Sequence, residues 1–237
     1  MKLSKRLAAV ADMVPFSASM ADIGTDHGYI PIYLIKEKRI KKAVAADIHK
    51  GPLVAAEEHI HEEHLENQIE TRMGSGLSVL KKNEVDGVVI AGMGGLMIES
   101  ILENDGDIAK ALDWLVLQPQ NHISELRIWL QKKGYQIERE ILIQEKEHLY
   151  EALYVTQGEM KPFDDMDAEI GVTEGRYGDP LFPSHLKKLI NKRNSIIQNI
   201  DGKPANERNR KKLKKAIQDK VILEGILWKC LQKISSD

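Results

Sequence analysis

Five short apolar runs recur along the first half of the chain, near Met20 to Gly24, Ala43 to Ile48, Ile69 to Met73, Gly87 to Ala91 and Leu115 to Gln118. Taken together they lack regular alternation, as expected of parallel strands covered by helices on both faces. Helix-like stretches lie between them, so the pattern is a β-α repeat. After a helix from Ser124 to Lys133, closed by Gly134, two more runs follow, Gln136 to Gln144 and Leu149 to Gln157. Only a short turn around Lys146-Glu147-His148 separates them, so they should pair antiparallel as a hairpin. The prediction is an α/β sheet of seven strands, parallel except at its hairpin end.

The pattern changes after residue 158. Pro162, Asp164, Asp165, Asp167, Gly171, Gly175, Gly178, Pro180 and Pro183 mark 159–184 as an irregular linker. Leu186, Leu189, Arg193, Ile196 and Ile200 then recur at steps of three and four, a heptad seam with one polar member. Residues 201–206 break it, and Leu213, Ile217, Val221, Leu227, Leu231 and Ile234 resume an apolar face. Two antiparallel helices packed as a coiled-coil hairpin over 185–237 are the simplest reading. The expected organisation is a ligand-binding domain over 1–158, the linker, and this hairpin.

The net charge of −2 hides an asymmetry, because the hairpin concentrates Lys187, Lys188, Lys192, Arg193, Lys203, Arg208, Arg210, Lys211, Lys212, Lys214, Lys215 and Lys220 against few acids. Such a cluster reads either as a phosphate-binding arm, gaining affinity by counterion release, or as a solvated coiled-coil face. A hydrophobic content of 42% with 30% charged residues belongs to a soluble globular protein, and no apolar run is long enough to span a bilayer. The basic, mildly apolar start is interrupted by Asp12 and reads as the first helix of a cytoplasmic protein.

The single cysteine, Cys230, excludes an internal disulfide and any multi-cysteine metal site. It also lies far from the glycine turns, which argues against chemistry that needs a cysteine nucleophile, such as methylation at C5 of a pyrimidine. His59, His61 and His64 stand among Glu57, Glu58, Glu62 and Glu63, but His59 and His61 cannot share a helix face. A solvated charged face is the reading there, and no metal is expected.

The chemistry concentrates in Ala21-Asp22-Ile23-Gly24-Thr25-Asp26-His27-Gly28, where an apolar strand must turn tightly into a helix and bring bare backbone near a ligand. Asp47 ends the second strand about 20 residues beyond the turn, the place where dinucleotide-type folds grip a ribose. Nicotinamide enzymes carry a middle glycine where this chain has Asp26, and a carboxylate there repels a pyrophosphate. Asp26 and Asp22 better suit an adenosine ligand with a cationic centre and no phosphate, which describes S-adenosylmethionine. A methyltransferase is favoured over a dehydrogenase, and a sheet ending in an antiparallel hairpin is the class I methyltransferase variant of the Rossmann-like fold.

Further groups fall at later strand ends. Met73-Gly74-Ser75-Gly76-Leu77 reads as backbone against an adenine ring or as a plain turn. Ala91-Gly92-Met93-Gly94-Gly95 is dense in glycine where something must approach the backbone, and it lacks the Asn/Asp-Pro-Pro-aromatic motif of exocyclic adenine methyltransferases. Gln118-Pro119-Gln120-Asn121 offers amides suited to a base edge, or is a polar loop with a turn proline. His27 reads equally as a substrate-facing group or a helix cap.

Together Asp22-Ile23-Gly24-Thr25-Asp26-His27-Gly28-Tyr29, Ala91-Gly92-Met93-Gly94-Gly95, Gln118-Pro119-Gln120-Asn121 and the basic hairpin resemble the bacterial tRNA (adenine-N1)-methyltransferase family TrmK, which modifies adenine 22 in the D-arm. The resemblance spans essentially the whole chain. It implies S-adenosylmethionine as donor, a Rossmann-like catalytic domain and a helical hairpin that helps hold tRNA. Cofactor contacts are then expected from Asp22, Gly24, Thr25, Gly28, Tyr29, Asp47, Ile48, Ser75, Gly76, Leu77, Gly92 and Met93. Asp26, His27, Gln118 and Asn121 are expected around the acceptor base. Lys187, Lys188, Lys192, Arg193, Arg208, Arg210, Lys211 and Lys214 are expected to meet tRNA, by a protein acting as a monomer. Two other functions stay open on residue chemistry: a small-molecule methyltransferase whose hairpin is a lid or dimer element, and an RNA-binding protein with a vestigial cofactor site.

Overall fold

The computed structural model describes residues 3–200 and 206–234. Seven strands form one sheet: β1 (Ser19–Ile23), β2 (Lys42–Asp47), β3 (Ile69–Met73), β4 (Gly87–Met93), β5 (Trp114–Pro119), β6 (Tyr135–Glu145) and β7 (His148–Gln157), in the order β3-β2-β1-β4-β5-β7-β6. β1 through β5 pair in parallel, and β7 lies antiparallel to both β5 and β6. Each expected run becomes a strand, with ends moved by a residue or two. The helices are α1 (Lys5–Met13), α2 (Tyr29–Lys36), α3 (Lys50–Glu62), α4 (Gly95–Asn104), α5 (Gly106–Ala109), α6 (Ile123–Lys132), α7 (Asp165–Ile170), α8 (Phe182–Ile200) and α9 (Glu207–Ile234).

The central strands β1, β2, β4 and β5 are buried along almost their whole length, which explains their unbroken apolar character. Their side chains pack with α1 and α2 through Val10, Val14, Ile30, Leu34 and Val89. Because connections from β1 run to one side and those from β4 to the other, the crossovers reverse between these two strands. In open α/β sheets that reversal leaves a crevice at the C-terminal strand ends, where ligands bind.

The chain divides into two compact units, Met1–Glu169 and Ile170–Asp237. The first unit runs past the expected boundary at 158 because Arg127 on α6, a fully buried side chain, reaches for the carbonyl of Ala168 at 2.8 Å. The same guanidinium holds Glu140 of β6 at 2.6 Å and Glu151 of β7 at 2.7 Å, so one cation ties the hairpin, α6 and α7 together. Residues 159–184, expected to be irregular, therefore contain α7 and a 3-10 turn, Glu174–Gly178, and α8 begins at Phe182. In the second unit α8 and α9 form a helix pair with Leu186, Leu189, Ile190, Ala216 and Leu223 buried. Of the expected break at 201–206, residues 201–205 lie outside the described residues, as does the side chain of Ile234.

Removing one partner of a buried ion network leaves the others charged and unpaired, at a cost of about 3–5 kcal/mol. Arg127→Met is expected to lose that much in denaturant unfolding, and Arg127→Lys most of it, because an ammonium cannot serve three acceptors in a plane. An unchanged midpoint for Arg127→Met would remove the network from the scaffold.

Candidate active site

The turn after β1 is shaped by backbone before side chains enter. Gly24 and Thr25 both donate their N–H to the Ala46 carbonyl at 2.8 Å, which pins the turn to the end of β2. Gly24 is left-handed, φ 76°, a conformation that favours glycine, and the Met93 methyl lies against it. The Met93 side chain at the end of β4 thus covers the turn at the end of β1.

Asp22 sits below this turn, between Ala45 of β2 and Val89 of β4, and is only 5% exposed. The Thr25 hydroxyl donates a hydrogen bond to it at 2.7 Å. Burial pushes its carboxyl up to about 6; the Thr25 bond opposes this, and the charges of Asp26 and Asp47 add to it. Such a carboxylate gains most from a positively charged ligand. Asp47 is 13% exposed and accepts the His49 N–H at 2.7 Å, and the neighbouring Ile48 is exposed, giving one acid and one apolar surface at the β2 end.

Past the turn, Asp26 is 81% exposed and stands 3.1 Å from His27 Nε2. His27 is itself left-handed, φ 67°, and stacks on Tyr29 with ring centroids 5.3 Å apart. The α2 N-cap is Gly28 and carries no side-chain capping bond, so the His27 ring is not the cap. Residues expected to act together are brought together here: Asp22, Gly24, Thr25, Asp26, His27, Gly28 and Tyr29 form one loop on one strand end.

One member was hidden in the sequence. His59 of α3 stacks on Tyr29 at 5.2 Å, tilts against His27 at 5.6 Å, and places Nδ1 2.9 Å from the His27 carbonyl. It was expected on a solvated face, yet is half-buried, whereas His61 and His64 are exposed. The available signal was the α3 stripe: Ala56, one turn before His59, lies against Gly28.

At the β3 end Ser75 is exposed and Gly76 is left-handed, φ 56°, while Leu77 is fully buried and can offer a ligand only its backbone. At β4, Gly92 is exposed, and the carbonyl of Asn121 accepts the Gly95 N–H at 3.0 Å, so the β4–α4 and β5–α6 turns lie side by side. Asn121 is exposed at that edge. Gln118 is not: it is fully buried, its Oε1 accepts from Arg6 Nη1 at 2.7 Å and its Nε2 donates to the Pro119 carbonyl at 3.0 Å. With both amide ends committed inside the protein, it has no edge left for a base, which corrects the expectation of direct contact.

In the second unit Lys187, Lys188, Lys192, Arg208, Arg210, Lys211 and Lys214 are exposed. Lys211 pairs with Glu207 at 2.8 Å. Arg193 departs from this set, because it is 5% exposed in the helix seam with Nε 3.2 Å from Asp219. Its charge is spent within the hairpin, and it is withdrawn from the phosphate-facing group. Among the described residues no helix is long and apolar enough to cross a membrane, and no cluster of three or more metal-ligating side chains occurs.

Residues 3–153 match the family described as methyltransferase domain. The chain is 33% identical over 232 residues to the tRNA (adenine(22)-N(1))-methyltransferase of Bacillus subtilis, covering 96% of this chain and 98% of that protein. The crystal structure of the B. subtilis m1A22 tRNA methyltransferase TrmK superposes with a TM-score of 0.86 at 32% identity, over 95% of this chain and 99% of that one. The Streptococcus pneumoniae protein Sp1610, crystallised in complex with S-adenosyl-L-methionine, gives 0.84 at 30% identity over 95% and 100%.

The Asp22 geometry has a consequence for stability. Its neutral form favours the folded state fully below pH 3.8, and that gain is lost as pH rises to about 6, a swing of about 3 kcal/mol. Asp22→Asn cannot ionise, so its stability advantage over the parent should grow by about 2 kcal/mol between pH 4.5 and 7.5, read by denaturant unfolding of both proteins. A difference that stays flat with pH would mean the carboxyl is not buried as described.

Proposed function

Because the chain belongs to the tRNA (adenine(22)-N(1))-methyltransferase family, we propose that it transfers the methyl group of S-adenosylmethionine to N1 of adenine 22 in the D-arm of tRNA. The observation that carries this reading is the extent of the similarity. It covers 96% of the chain and so includes the basic helical hairpin as well as the catalytic sheet. A methyltransferase acting on a free metabolite would need that arm only as a lid or dimer element, for which its exposed lysines and arginines are not required.

The residues fit the cofactor. Asp22 is a buried acid with no cation beside it among the described residues, which suits the ammonium of an amino-acid tail. Asp47 stands where a ribose is gripped, and Ile48 with the Gly76 turn offers surface for an adenine. When bound, S-adenosylmethionine supplies a methyl group made electrophilic by its sulfonium. N1 of adenine already has a lone pair, so the protein needs no base to deprotonate it and acts chiefly by orientation. Transfer would form a bond from N1 to the methyl carbon as the carbon–sulfur bond breaks with its electrons left on sulfur, so positive charge would pass to the ring. Asp26, exposed beside His27, is placed to stabilise that charge. The His27–Tyr29–His59 stack provides a flat aromatic surface for a base taken out of its helix. Exposed lysines and arginines of the hairpin meet phosphates. The same reading puts the enzyme in the cytoplasm with its tRNA substrate, acting as a monomer and without a metal.

Labelled methyl transfer to unmodified tRNA, followed by nucleoside mass spectrometry, should yield 1-methyladenosine, lost when adenine 22 of the transcript is replaced. Asp26→Asn should lower turnover by about 10- to 100-fold with S-adenosylmethionine affinity kept. Cofactor binding without RNA methylation would point instead to a small-molecule substrate, and equal turnover would remove Asp26 from the mechanism.

A further inference from the structure

Arg6 stands at this same strand edge and has no part in the chemistry above. It belongs to the first turn of α1, yet three distant elements hold it. Its backbone N–H donates to Glu145 Oε1 at 3.0 Å at the end of β6, its guanidinium lies over the Tyr150 ring of β7 at 5.6 Å, and Nη1 donates to Gln118 of β5 at 2.7 Å. A methyl group built on Gly92 would come 3.8 Å from Nη1 and 4.0 Å from Gln120 Nε2, so the guanidinium flanks the glycine turn of β4.

The way it is held indicates its use. Arg127, which is buried for structure, is held by the carboxylates of Glu140 and Glu151. The Arg6 guanidinium bonds a neutral amide and lies over an aromatic face instead, which fix its plane with no carboxylate in a direct ion pair among the described residues. Glu145 accepts the Arg6 backbone N–H, and the guanidinium's charge acts on it only through space, helping to hold its carboxyl below the usual range. Gln118 is fully buried with its Nε2 tied to Pro119, so its oxygen is fixed toward Arg6. A buried amide that aims a cation with no direct ion-pair partner among the described residues makes sense where that cation has a ligand to meet.

We propose that Arg6 is the oxyanion grip of this edge, aimed by Gln118, and that its ligand is a carboxylate or phosphate oxygen pair. This rests on the functional reading above, which brings two such groups to the site: the carboxylate of the cofactor's amino-acid tail and a phosphodiester of the target nucleotide. The tail carries ammonium and carboxylate on one carbon. Asp22 and Arg6 present the opposite charges along one stretch of edge, because β4, whose Gly92 turn Arg6 flanks, pairs directly with β1, which carries Asp22. A guanidinium binds either oxyanion through two parallel N–H bonds.

The test uses the full chain, Arg6→Gln and Arg6→Lys, with calorimetric binding of S-adenosylmethionine and of decarboxylated S-adenosylmethionine, which lacks the carboxylate. Binding of an unmodified tRNA transcript is measured across a salt series. If the carboxylate is the ligand, Arg6→Gln weakens S-adenosylmethionine by about 10- to 100-fold, leaves the decarboxylated form unchanged, and Arg6→Lys recovers part of the loss. If a phosphate is the ligand, both cofactor forms bind as in the parent, tRNA binds more weakly, and the slope of log affinity against log salt falls by about 0.7–0.9. A parent that binds cofactor and tRNA, with Arg6→Gln indifferent in every one of these quantities, overturns the grip alone. A parent that binds neither overturns the functional reading and the grip with it.

Discussion

A carboxylate held under a glycine turn, with a hydroxyl for a partner and no cation beside it among the described residues, is the constraint around which this protein is arranged. Asp22 lies in the middle of a parallel sheet because β1 is the strand from which the crossovers diverge, and its neighbours Ala45 and Val89 leave it little water. Burying that charge costs stability, and proteins keep such costs where function repays them. A ligand bringing a positive group to the strand ends restores what the empty protein gives up.

The rest of the scaffold holds that edge in place. Met93 of β4 covers the turn at Gly24, the Ala46 carbonyl binds two successive amides of the turn, and His59 reaches across from α3 to the carbonyl of left-handed His27. On the far side, Arg127 fixes the antiparallel hairpin to α6 and α7. That hairpin in turn supplies Glu145 and Tyr150, which hold Arg6. The ion network is thus remote from the turn yet carries the elements that position a cation next to it. The edge has an acid at one end, a guanidinium at the other and an aromatic stack beyond the turn, an arrangement matched to a zwitterionic adenosine cofactor and a flat base.

What could be read in the chain was what is local in it. Strand runs such as Ala43-Val44-Ala45-Ala46 declare themselves because a doubly covered parallel strand must be apolar throughout, and the turn at Gly24 declares itself because its left-handed backbone favours glycine. Pairings across long stretches of sequence were not legible. Arg6 sits in an amphipathic first helix, and nothing near it signals a partner 112 residues away. Gln118 was read as an exposed amide because Gln-Pro-Gln-Asn resembles a loop, but β5 continues through Pro119 and buries it. Arg193 counts as a cation in composition, and only the α8–α9 seam shows that Asp219 takes its charge. His59 was masked by its neighbours: three histidines and four glutamates in one short stretch read as solvent-facing, and only tertiary packing separates the one that faces Tyr29.

The most direct measurement is the proton balance of cofactor binding, obtained by titration calorimetry of S-adenosylmethionine at pH 5.5 in two buffers of different ionisation enthalpy. Asp22 titrates at about 6 in the empty protein and should ionise when a cation arrives beside it. Binding should then release about 0.7 of a proton at pH 5.5, with the release abolished in Asp22→Asn. Binding with no proton release at that pH, or with uptake, would contradict a buried carboxyl waiting for the positive charge of its ligand.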